Sequence, residues 1–327
     1  MISIARRFSA FIQLIGAASV AVVMIAPALA DSISPLVPVA WLRVNLTDPE
    51  LVVLDVRSVI DGGGVEAYVR GHIPGAVHSD YVRAGWRVSR NNVPFMLPTV
   101  PELEKLIGEL GIDEESRVVV VPAGVSATDF GSAARVYWTL KVAGVAKVSI
   151  LDGGLAAWTS DPANPIETGT ITPSPKIFSA VIDRRLIADT DEVEHVERSG
   201  GATLIDARSV ALFLGKARAE PAQAYGHIPG AINLDNDRLY DSKNNRLKPQ
   251  AELTKIATLV PAGPVISYCN TGHWAAIDWF VLSELLGRKS TKLYYGSMAD
   301  WTSDADRPVA SSRTKWDDLK KFLGFGE

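Results

Sequence analysis

Cysteine is almost missing from this chain: its 327 residues contain one, Cys269. A lone thiol rules out an intrachain disulfide, although exported proteins commonly pair their cysteines. Metal coordination has little to work with, because one cysteine and five scattered histidines lack the close spacing of ligand sets. Long basic runs are absent as well. The formal charge is −4, and a mildly acidic body without a basic stripe gives no electrostatic case for nucleic acid. After residue 30, no apolar stretch is long enough to span a bilayer.

What is present begins with an export pattern. Arg6 and Arg7 precede a mostly apolar stretch from Phe11 to Ala26, and Ala28-Leu29-Ala30 forms a small-x-small cleavage site before Asp31. Residues 1–30 are therefore expected to be a signal peptide cleaved after Ala30, leaving a periplasmic or secreted protein with no membrane attachment. An uncleaved anchor is the alternative, disfavoured because Gln13 and Pro27 interrupt a run already near the minimum for spanning. Length and an ordinary composition, 47% hydrophobic and 21% charged, fit two globular domains rather than one or a disordered chain.

The chain repeats itself. Leu51-Val-Val-Leu-Asp55-Val-Arg57-Ser58 returns as Thr203-Leu-Ile-Asp206-Ala-Arg208-Ser209, and Gly71-His72-Ile73-Pro74-Gly75-Ala76 returns unchanged from Gly226 to Ala231. Trp158-Thr-Ser-Asp161 has its counterpart in Trp301-Thr-Ser-Asp304. Blocks in the same order indicate a duplicated unit of about 140 residues. The expected division is 31–161, a Pro/Thr/Ser-rich linker over 162–180, and 181–327.

Within each half, apolar β-branched runs (Val118–Val121, Val265–Ser267) read as buried parallel strands. Helical patterns over Pro101–Leu110, Ala133–Ala143 and Ala275–Leu286 alternate with them, two ending at the glycine stops Gly111 and Gly287. The fold class is α/β, each half a parallel sheet flanked by helices on both faces.

In such sheets, sites form where strands run into helices at their carboxyl ends. Cys269 sits there: Pro264-Val-Ile-Ser-Tyr268 leads into Cys269-Asn270-Thr271-Gly272-His273-Trp274, with a helix expected from Ala275. Loop amides and the helix N-terminus would favour a thiolate and stabilise a persulfide anion on it. His273 reads either as a proton donor or substrate contact, or as packing at the pocket rim, and Trp274 as a residue that shapes the pocket. Asp206 and Arg208, two residues apart at a strand end, read as a structural pair, with substrate contact by Arg208 a secondary reading. His72, His227, Trp158 and Trp301 recur in both halves and read as parts of the fold.

Together, Asp-x-Arg after a strand, the Gly-His-Ile-Pro-Gly-Ala block and a cysteine opening a short strand-to-helix loop resemble the rhodanese family. The duplication resembles tandem-domain thiosulfate and mercaptopyruvate sulfurtransferases, whose active cysteine lies in the C-terminal half. The resemblance implies two rhodanese-like domains, the second catalytic. In it Cys269 would move sulfane sulfur, without metal or organic cofactor, from thiosulfate or a related small donor to a thiol, cyanide or protein acceptor. The first half has no cysteine at the matching segment, Val121–Asp129, and Ser126 has no neighbouring histidine in sequence.

The second half departs from thiosulfate-using relatives, which carry a cation in the loop and another shortly after Asp-x-Arg. Here Thr271 and Leu212 stand at those places, so the reaction type is the firmer expectation and the donor is open. A cysteine-dependent phosphatase would need an arginine closing the loop to hold the oxyanion, and no arginine follows Cys269 before Arg288. A non-catalytic sulfur-binding or partner-docking module is the remaining alternative.

Overall fold

A computed structural model describes residues 33–314; the expected export segment, residues 1–30, lies outside them. The first half contributes β1 (Leu36–Val37), β2 (Leu51–Asp55), β3 (Val77–His78), the ribbon β4 (Val88–Arg90) and β5 (Val93–Met96), then β6 (Arg117–Val121) and β7 (Lys147–Leu151). The second contributes β8 (Ile187–Ala188), β9 (Thr203–Asp206), β10 (Ile232–Asn233), the ribbon β11 (Tyr240–Asp241) and β12 (Arg246–Leu247), then β13 (Val265–Tyr268) and β14 (Thr291–Tyr294). The two main sheets have strand orders β1-β7-β6-β2-β3 and β8-β14-β13-β9-β10, with every pairing parallel. Element for element, these are the same topology, and each sheet has helices on both faces.

The repeated blocks do equivalent work in each half. Asp55 and Arg57 pair at the end of β2, and Arg57 also donates to the Gly71 carbonyl. Asp206 and Arg208 pair at the end of β9, and Arg208 donates to the Gly226 carbonyl at 2.8 Å. Each pair thus ties a strand end to the Gly-His-Ile-Pro-Gly turn. His72 Nδ1 bonds the Tyr68 carbonyl, and His227 Nδ1 bonds the Phe213 carbonyl. Trp158 and Trp301 are fully buried and donate to the Pro165 and Pro308 carbonyls.

The halves share one hydrophobic core. Its centre is the helix Ala127–Ala143, nearly all of it buried, packed on the helix that begins at Ala275. Phe130 and Tyr137 meet Phe280 edge-on at ring distances of 5.9 and 5.0 Å, and the Tyr137 hydroxyl donates to Glu284. A helix covered on all sides needs apolar or small residues all round, and Ala133-Ala134-x-Val136-Tyr137-Trp138 supplies them.

Two helix expectations need correction. The helix expected from Ala133 starts at Ala127, because Ser126 caps it by accepting the Asp129 N–H at 3.1 Å. The helix from Ala275 is regular only to Trp279; over Phe280–Leu285 it widens into π-helical turns before Gly287 ends it in the left-handed region at φ +71°.

Candidate active site

Cys269 follows β13 directly, at the carboxyl end of the sheet. The backbone holds it from both sides. Its N–H donates to Ser297 Oγ at 3.0 Å, and its carbonyl accepts the Met298 N–H at 3.1 Å. Ser297, itself at φ +53°, passes the bond on to the Tyr294 carbonyl. With its own N–H engaged in this way, Cys269 Sγ receives one loop amide, that of Thr271 at 3.5 Å. The side chain is 1% exposed.

The loop is anchored on both flanks. Arg208 donates to Asn270 Oδ1 at 3.3 Å, which connects the Asp206 pair to the residue after the cysteine. Gly272 takes φ +69° against the Tyr295 backbone, which leaves no space for a Cβ. His273 is buried and uses both ring nitrogens on the first half: Nδ1 meets the Tyr81 hydroxyl at 2.8 Å and Nε2 the Thr128 carbonyl at 2.8 Å. A carbonyl only accepts, so Nε2 carries the proton and Nδ1 accepts from Tyr81. The Trp274 indole N–H donates to Thr128 Oγ1 at 3.3 Å. These bonds make His273 and Trp274 the clasp between the Cys269 loop and the first half, and leave His273 no free nitrogen for proton transfer.

Burial, together with the Arg87 and Arg135 charges, pushes His273 down from 6.5 to about 3. The unfolded ring protonates near pH 6.5 and the folded ring only near 3. Stability from this group is therefore present above pH 6.5 and is lost as the pH falls toward 3, by about 1.4 kcal/mol per unit. A His273→Gln variant should lose that slope, so that the stability gap between variant and wild type changes between pH 7 and pH 5. Urea unfolding at pH 7 and pH 5 measures it, and an equal difference at both values would refute the assignment.

The positive charge of the site comes from the first half. Arg135, on the helix Ala127–Ala143, is 0% exposed and forms no ion pair among the described residues. Its guanidinium donates to the carbonyls of Thr271 at 3.2 Å and Phe95 at 3.5 Å, and lies 5.0 Å from the Trp138 ring centre. Burial lowers it to about 10, with the Tyr81 and Cys269 charges opposing that fall, so it remains a cation at neutral pH. Arg87 is stacked on Tyr81 and Phe95, 4.1 and 4.7 Å from their centres.

A cavity of about 390 Å³ opens beside the sulfur. Its walls come from both halves and are mostly apolar, Val59, Ile60, Val82 and Phe95 facing Pro221 and Trp274. A larger cavity of about 660 Å³, lined by Lys141, Asp183, Glu284 and Lys289, contains none of the loop.

The first half shows what this architecture becomes without a cysteine. Leu155 and Ala156 donate to the carbonyls of Pro122 and Ala123 as Met298 and Ala299 donate to those of Cys269 and Asn270. Pro122 therefore occupies the cysteine position. The carboxylate of Asp129 accepts the N–H groups of Ala123, Gly124 and Val125 at 2.9, 2.5 and 3.1 Å, filling the loop's anion cradle from within. Ser126 Oγ is spent on capping the helix.

Of the residues singled out in the sequence, the structure brings Cys269, Asn270, Thr271, Gly272, His273, Trp274, Asp206 and Arg208 into one hydrogen-bonded assembly. Leu212 brings no charge to it. Sequence reasoning missed Tyr81, Arg87, Thr128, Arg135 and Ser297. The one local signal was Arg135, a charge in the apolar middle of the helix, between Ala133-Ala134 and Val136-Tyr137-Trp138.

Comparison with known proteins bears on this geometry. A family model described as a rhodanese-like domain matches twice, at residues 38–161 and 189–304. The 3-mercaptopyruvate sulfurtransferase of Escherichia coli K12 is 32% identical over 277 residues, covering 82% of this chain and 95% of the relative. A mitochondrial thiosulfate/3-mercaptopyruvate sulfurtransferase of Arabidopsis thaliana is 31% identical, covering 85% and 78%. Among solved structures, the 3-mercaptopyruvate sulfurtransferase SseA from Escherichia coli superposes with a TM-score of 0.69 at 30% identity, over 81% of this chain and 99% of its own.

Proposed function

Since the chain belongs to the rhodanese-like family and carries the domain twice in tandem, we propose that it is a sulfurtransferase working through a persulfide on Cys269. One observation carries the reading. The only cysteine follows β13 at the wall of a cavity, with an amide N–H on its sulfur and a buried arginine beside it that no carboxylate neutralises. Buried cations are ordinarily paired, and a thiolate or persulfide anion supplies the missing partner.

The mechanism is a double displacement. The Cys269 thiolate attacks the donor's outer sulfur, the donor's S–S or C–S bond breaks, and the remainder leaves with the electron pair. An acceptor nucleophile, cyanide or a thiol, then takes the outer sulfur and regenerates the thiolate. His273 holds the loop in place throughout and moves no proton.

Intact mass of the protein after incubation with thiosulfate, mercaptopyruvate or an organic hydropersulfide tests the proposal. The expected result is a gain of one sulfur atom, removable by cyanide and absent in Cys269→Ser, which should also lose turnover altogether. No gain with any donor would overturn it in favour of a non-catalytic sulfur-binding or partner-docking module. With Thr271 and Leu212 uncharged, thiosulfate should rank last among the three.

We further propose, from the N-terminal sequence pattern alone, that the mature chain acts in the periplasm or outside the cell after removal of residues 1–30. No helix among the described residues is long and apolar enough to cross a membrane. N-terminal sequencing of native protein should begin at Asp31, and a start at Met1 would refute the export proposal.

A further inference from the structure

A donor that reaches Cys269 Sγ lays its body in the cavity of about 390 Å³ beside the sulfur, so the walls of that cavity dictate what the body can be. Much of the polar lining is committed to other protein groups. The Thr128 carbonyl and hydroxyl take the His273 ring and the Trp274 indole, and the second His273 nitrogen meets Tyr81. Asn270 Oδ1 accepts from Arg208. Arg87 is fixed in the wall, because it stacks on Tyr81 and Phe95, hydrogen-bonds the Tyr81 side chain and has its Nε buried. The rest is largely apolar. Val59, Ile60 and Val82 line the cavity and remain 56, 38 and 37% exposed, so a patch of hydrocarbon faces water beside the nucleophile.

Phe95 supplies an independent observation. It sits at φ +66°, a region that a bulky side chain rarely adopts. Such strain persists only where the surroundings over-determine it, and it gathers at ligand sites. Here the Phe95 carbonyl accepts from Arg135 at 3.5 Å, and the ring becomes part of the cavity wall. A site for a hydrated inorganic anion gains nothing from seating a phenyl ring at that cost.

We infer that the sulfur donor of this site has an apolar hydrocarbon body about the size of one ring, and that Phe95, Ile60, Val82 and Trp274 select the donor by that body. The inference deepens the persulfide reading above and rests on it. Apolar surface gains in proportion to the area it removes from water, and a cavity of this volume lies at the small end of organic-ligand pockets. The reaction balances without any further reagent. The thiolate bonds to the outer sulfur of a hydropersulfide R–S–S–H, the bond between the two donor sulfurs breaks, and RS⁻ leaves with the electron pair. The hydrogen stays on the new Cys269 persulfide.

The test uses the whole protein and two probes, 3-phenylpropyl hydropersulfide and propyl hydropersulfide, which share the reacting end and differ by the ring. The readout is the ratio of their kcat/KM values for loading Cys269. Wild type should prefer the phenylpropyl donor by on the order of 10- to 100-fold, the worth of burying one ring. An Ile60→Ser/Val82→Ser variant should cut the ratio roughly five-fold or more, and both positions are exposed enough for the fold to survive. Phe95→Gly removes the ring, relieves the strained backbone and should lower the ratio as well. A wild-type ratio of about one, or a ratio unchanged in both variants, would overturn the inference and leave the persulfide mechanism standing. Failure of wild type to load from either probe would instead overturn the mechanism, and this inference with it. Because the ratio compares two donors on one protein, partial loss of folded material in a variant does not affect it.

Discussion

Gly272→Ala is expected to cost about 2–5 kcal/mol of stability and to abolish sulfur loading of Cys269. Two separate costs add. Gly272 sits at φ +69°, where a Cβ crowds the following carbonyl by about 1–2 kcal/mol. The new methyl would also lie 2.6 Å from the Tyr295 carbonyl oxygen and 2.9 Å from its Cα, and would overlap Arg135 Nη1. Backbone cannot yield as a flexible side chain can, so the loop or Arg135 must move. Displacing Arg135 takes away its bond to the Thr271 carbonyl and, with it, the cation beside the sulfur. Gly287→Ala separates the two costs, because Gly287 has φ +71° with nothing near its Cβ position and should lose only the strain. Urea unfolding of both variants, with intact-mass loading, checks the prediction. Equal destabilisation of the two would show that the close approach to Tyr295 and Arg135 carries no cost.

What was legible in the sequence is what local pattern encodes. Buried parallel strands such as Val118–Val121 announce themselves by β-branched residues without alternation, and the repeated blocks imply that two sheets share one topology. The loop at Cys269 was readable for the same reason, since a strand, a glycine and a helix follow one another within a dozen residues. The partners from the other half were not readable. Tyr81 and Thr128 meet His273 from positions 192 and 145 residues away, and no periodicity or spacing reports a contact of that range. For that reason His273 was open between proton donor and packing, although its two ring bonds decide the matter in the structure. The anion cradle of the first half was hidden similarly. Asp129 looks like an ordinary residue in the first turn of a helix, until its carboxylate is seen to accept three amides of the loop before it. The helix start moved from Ala133 to Ala127 because Ser126 caps through its side chain, whereas the apolar pattern becomes unbroken only further on.

Asp278→Asn is expected to stabilise the protein, by an amount that grows with pH. Asp278 lies on the helix after the Cys269 loop, is 0% exposed, and neither carboxyl oxygen has a hydrogen-bond partner. Burial raises it well above 3.8, and the Asp235 and Asp206 charges add to the rise. The folded carboxyl therefore keeps its proton at pH values where the unfolded one, with an ordinary value near 4, has lost it. Stability from this group is complete below about pH 4 and declines as the pH rises toward the folded value, by about 1.4 kcal/mol per unit. Asparagine keeps the shape and a polar head but does not titrate. The gap between variant and wild type should accordingly open from about pH 4 upward, opposite in direction to the acid-side slope assigned to His273. Urea midpoints at pH 4, 5.5 and 7 measure it, and a gap independent of pH would show that Asp278 ionises freely in the folded protein. The neutral form is also what the neighbouring pair requires. Arg208 balances one carboxylate, that of Asp206, and reaches Asn270 beside the cysteine; a second negative charge at Asp278 would leave the buried cluster with more carboxylates than cations.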